Sequence, residues 1–165
     1  MNLIWTTEQV AALLALKDSG ERQMELVSPR LVTPPEEAQT LRAAVPAVWF
    51  PEARSPEGAL AELWLYFGAF EEVNELVQAL KTAEGSYWHA IVHRIEPDAG
   101  NSGYWIWRVG QHGIFPALLA AARRIAATNP DCAFVPGDSW SSVRFTALCD
   151  AARGRPGSQA EQVAR

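Results

Sequence analysis

At 165 residues, 48% of them apolar and 20% charged, the chain has the composition of a protein that buries its own core, and one domain spanning 1–165 is expected. A formal charge of −5 argues against a surface that grips phosphates, so no nucleic-acid partner is expected. No apolar run approaches the ~20 residues of a membrane span, Met1 to Glu8 lack the pattern of a signal peptide, and Cys132 and Cys149 are too few for a disulfide framework; a cytoplasmic protein with no membrane contact is the expectation.

Thr7 and Glu8 open an apolar pattern through Val10, Leu13 and Leu14 that predicts a helix over 7–18, with Gly20 as a stop. Residues 21–33 carry no clear period. Pro35-Glu36-Glu37 places a proline and two acids in the first turn of a short helix ending near Ala44. Pro46 and Pro51 frame an extended or looping piece around Val48-Trp49-Phe50. Ser55-Pro56-Glu57 is an N-cap followed by proline and an acid, and Leu60, Leu63, Trp64 and Phe67 recur at helical spacing behind it. Gly68 interrupts, and Phe70, Val73, Leu76, Val77 and Leu80 predict a second helix to about Lys81. Gly85 and Ser86 start a third through Ile95.

Pro97-Asp98-Ala99-Gly100 reads as a turn, after which Asn101 or Ser102 caps a helix from Tyr104 to Val109, closed by Gly110. Pro116 begins another, with Leu118, Leu119, Ala122 and Ile125 at its core positions and Asn129-Pro130 at its end. Asp138 or Ser139 caps the last, over Val143 to Ala152, where Cys149 belongs to the apolar series and reads as a small buried hydrophobe. A polar tail from about 154 is expected to fray. Strand signals are nearly absent. The fold class is all-α, a compact bundle of about six to seven helices in antiparallel hairpins; stacking of the repeat-like, tetratricopeptide kind is the alternative.

The unusual chemistry falls between Tyr87 and His112. His89 and His93 are one turn apart on one helical face, a spacing that allows two imidazoles to reach one ion such as zinc. Glu96 lies on nearly the same face and is the candidate base or orienting carboxylate. Folding about the turn brings the next helix back, with Arg108 opposite His89 and His112 one turn beyond, so His89, His93 and His112 form a candidate metal set. The glutamate that follows the first histidine in catalytic HExxH helices is missing, since Ala90 stands there.

Three readings follow for this segment. One is a structural network, with Arg94, Glu96, Asp98 and Arg108 satisfying the histidines. The second is a pocket for a small polar molecule or a protein partner, walled by Trp88, Tyr104 and Trp105 and lined by His89, His93, Arg94, Glu96 and Arg108. The third is a divalent-metal site serving a hydrolase or lyase. A helical scaffold is a further possibility and predicts a broad exposed apolar surface.

The residues Trp88-His89, His93-Arg94, Glu96-Pro97-Asp98, Asn101, Tyr104-Trp105 and Arg108-Val109-Gly110-Gln111-His112 together resemble a signature of a family of uncharacterised microbial proteins. The likeness spans residues 86–112 and is dense. It implies kinship without an activity. Members carry a histidine in the preceding helix, where this chain has Asn74. A weaker likeness to DinB-type four-helix metalloproteins rests on the HxxxH pair alone; in those proteins the pair lies late in the chain with a histidine far upstream, whereas here the pair is central and no histidine precedes it.

Overall fold

A computed structural model describes residues 7–16, 34–130, 132, 134–153, 155 and 157–164. All regular structure among them is helical, and no helix there is long and apolar enough to cross a membrane. The chain divides into two compact units, one holding described residues up to Leu80 and the other those from Lys81 onward.

The first unit contains α1 (Glu8–Ala15), α2 (Pro35–Arg42), α3 (Pro46–Trp49), α4 (Pro56–Tyr66) and α5 (Phe70–Ala79). In α1, Val10, Leu13 and Leu14 are buried, as their spacing predicts. The Thr7 hydroxyl donates to the Trp49 carbonyl at 3.0 Å instead of capping the helix it precedes. The remainder of the predicted first helix beyond residue 16, and the ambiguous 21–33, lie outside the described residues.

The segment around Val48-Trp49-Phe50 is not extended. Pro46 occupies the first turn of a one-turn helix, where its missing N–H costs nothing and its fixed φ suits the helix. Ser55 caps α4, its oxygen accepting the Gly58 N–H at 3.3 Å. Leu60, Ala61, Leu63, Trp64, Leu65 and Tyr66 of α4 are all buried, so this helix has little polar face. Gly68 takes φ 81°, a conformation that frees the chain to reverse into α5. Val73 and Val77 of α5 are almost wholly buried.

The second unit contains α6 (Ala83–Ile95), α7 (Ala99–Val109), α8 (Phe115–Ala127), α9 (Ser142–Ala152) and α10 (Gln159–Ala164). Its spine is the antiparallel pair α6–α7, with α9 against α7. The residues after 154 do not fray throughout. Ala160 and Ala164 give α10 an apolar side that packs on Leu148, Cys149 and Ala152 of α9. With α3 and α10 included there are ten helical segments among the described residues, more than the six to seven expected, because one-turn and two-turn helices leave little periodic signal.

Candidate functional site

The α6–α7 hairpin is set by two caps that differ from those the sequence suggests. Thr82 rather than Gly85 begins α6, its hydroxyl oxygen accepting the Gly85 N–H at 3.0 Å. Asp98 rather than Asn101 or Ser102 begins α7: one carboxylate oxygen accepts the Asn101 N–H at 3.0 Å and the other accepts its side-chain amide at 2.7 Å. These bonds, the backbone one foremost, hold the Asp98 carboxyl below its ordinary range. An aspartate satisfies first-turn amides as an anion at the positive end of the helix, so it outcompetes the later asparagine and serine.

The earlier start tightens the turn and shifts the pairing. Ser102, 1% exposed, donates its hydroxyl to the Ala90 carbonyl at 2.9 Å. Trp105, not Arg108, then faces His89, with ring centroids 3.8 Å apart and planes inclined by 20°. Arg108 lies over the far rings instead, 5.2 Å from the Trp105 centroid and 5.9 Å from that of Tyr104, and donates to the Tyr104 hydroxyl at 3.3 Å.

His89 is 3% exposed, and its Nδ1 is buried without a hydrogen-bond partner. Burial, aided by the charges of His93 and Lys81, pushes its pKa down to about 4, so the ring is neutral near pH 7. His93 stacks on it at 4.9 Å and 14°. Glu96 Oε2 is 3.1 Å from His93 Nδ1, within ion-pair range but not aligned for a hydrogen bond. Zinc bonds to an imidazole nitrogen at ~2.0–2.1 Å and close to the ring plane. Planes inclined by only 14° meet far outside that reach, so the two rings as placed do not share an ion.

His112 does not join them. Two residues from His89 on α6, Tyr87 points to a different side of the helix, and His112 stacks there, 5.0 Å from the Tyr87 centroid at 16°. Among the described residues, no group of three or more His, Cys, Asp or Glu side chains is placed to hold a metal ion. Of the remaining candidates, Trp88 is half-buried with its ring edge-on to Tyr87, and Arg94 lies 5.0 Å from the Phe145 centroid. Tyr104 is 49% exposed, and Glu96 is exposed. Asn74 lies on α5 in the first unit with its buried side-chain oxygen unpartnered.

Among the described residues, two cavities border the α6–α7 hairpin, and a further open groove of about 460 Å³ is lined by Phe134, Arg144 and Leu148 along α9. One, of about 20 Å³, is bordered by Ala90, Arg94, Ser102, Phe145 and Thr146, and has room for about one water. The other is an open groove of about 560 Å³ at the end of the hairpin, within the ~300–1,000 Å³ of small-molecule sites. Its walls come from the end of α7 and the following loop (Ile106, His112), from α8 (Phe115, Leu119) and from 138–143, where Trp140 and Ser142 stand.

Local bonds fix these walls. The Trp140 indole N–H donates to Ser142 Oγ at 2.8 Å, Ser141 caps α9 by accepting the Arg144 N–H at 3.3 Å, and Arg123 donates to the Gly137 carbonyl at 2.7 Å. Sequence reading places a cap at 138–139, two to three residues early, and misses the groove, because its walls meet only after α8 folds back. The run Ser139-Trp140-Ser141-Ser142 was the one local signal, hydroxyls flanking an aromatic ring.

Serine, histidine and aspartate all line this groove, which raises the question of a nucleophilic triad. His112 Nδ1 accepts the Ile114 N–H at 3.3 Å. With Nδ1 accepting, the ring's other nitrogen, Nε2, is buried and has no hydrogen-bond partner. A triad histidine needs the opposite arrangement, Nδ1–H to a carboxylate and a bare Nε2 toward the serine. Burial pushes the Cys149 thiol up, away from the reactive thiolate.

No protein-family model, curated protein or solved structure matches the chain.

Proposed function

We propose that this protein binds a small organic molecule in the groove at the open end of the Tyr87–His112 hairpin. The observation that carries this reading is the groove itself: about 560 Å³, with Ile106, Phe115, Leu119 and Trp140 as apolar walls and polar groups from both the 110–113 loop and 138–142. Apolar walls supply the affinity and the hydroxyls of Ser139, Ser141 and Ser142 orient the ligand. The stack of His89, His93, Trp105 and Arg108 is the support that holds α7, and with it Ile106, in place.

The test is a titration of ¹⁵N-labelled protein with indole, a neutral planar probe. Amides of Gly110, Gly113 and Ser142 are expected to shift in a saturable way. Val143→Trp, at an exposed groove-lining position, should block the shifts while leaving the rest of the spectrum in place. Shifts clustered at Trp88, His93 and Tyr104 instead would place the ligand on the other side of α6 and overturn the proposal.

A further inference from the structure

Resting on that groove reading and taking it further, we infer that the ligand is a planar organic cation, an aromatic ring bearing an ammonium or amidinium group. Three rings border the groove, those of His112, Phe115 and Trp140. The Trp140 indole N–H is already bonded to Ser142 and its ring meets Phe145 at 5.2 Å and 45°, so toward a ligand this side chain has ring surface rather than a polar donor to present. Such faces attract cations and do not attract anions. Among the described residues no lysine or arginine lines the groove, and Asp138, its side chain fully exposed, puts a formal negative charge at the rim.

Arg123 competes for that carboxylate, but only from 4.0 Å, the outer limit of an ion pair, and its guanidinium already serves the Gly137 carbonyl. The amino end of α9 favours a negative group. Asp138 itself, three residues before the Ser141 cap, supplies one, and the Ser141 oxygen satisfies a first-turn amide. Both the ring faces and the carboxylate therefore select a positive ligand. Each effect is a few-fold at a site open to water, so about a ten-fold preference is expected at low salt.

The experiment compares three probes of one shape, benzamidinium, benzamide and benzoate, by the same amide-shift titration at low ionic strength. Affinity is expected to fall in that order, with about ten-fold between the first and last. Asp138→Asn should narrow the ratio several-fold, and Arg123→Gln should widen it. Benzoate binding as tightly as benzamidinium would overturn the cation assignment and leave the groove reading standing. A ratio unchanged in Asp138→Asn would overturn the role given to that carboxylate. If none of the three probes moves the groove amides, the groove reading itself fails.

Discussion

His89 is neutral because of where it sits, and the cost of charging it makes stability depend on pH. Its pKa is about 4 in the fold against about 6.5 when exposed. Between those values the unfolded chain binds the proton and the folded chain does not, so acid favours unfolding. The stabilisation is complete above pH 6.5 and is lost as pH falls toward 4, by about 3 kcal/mol across the window. Urea unfolding at pH 7.0, 5.5 and 4.5 measures this. His89→Phe keeps a flat ring against Trp105 and removes the titration, so the variant should lose less stability than the parent over the same range. Equal losses would show that His89 does not govern the acid limb. The sequence announced the pairing of His89 with His93 by spacing alone. It did not announce their stacking, which depends on rotamers chosen by Trp105 from the neighbouring helix.

At the scale of the helix pair, one cap decides which residues meet. The periodicity of apolar residues predicts both α6 and α7, and their antiparallel arrangement follows from the short connection. The register does not follow, because Asp98, Asn101 and Ser102 are all good caps by type, and only one can be used. Choosing Asp98 moves the residue opposite His89 from Arg108 to Trp105 and withdraws His112 from the pair. Asp98→Ala should therefore lower the denaturation midpoint through loss of the cap, whereas Asp98→Asn, which can still accept the Asn101 amide, should lower it much less. Chemical denaturation checks both. A neutral Asp98→Ala would mean that Asn101 or Ser102 can begin the helix equally well. Pro46 teaches the same lesson: the residue type marks a break or a start, and the surrounding packing decides which.

At the scale of the whole chain, the all-α class is legible because strand patterns are missing and caps recur along the sequence. Short α3 and α10 are not legible, since one or two turns carry too little period to stand out. The candidate site was half legible. Spacing drew attention to three histidines, and the fold sends them to two different sides of α6, with His89 and His93 on one and His112 beside Tyr87 on the other. The groove is a product of tertiary folding, its walls supplied by 106–119 and 138–143. Crystals soaked in indole test this account most directly. The account predicts ligand density between Trp140, Phe115 and His112. Density, or a bound ion, at His89 and His93 with the groove left empty would contradict it.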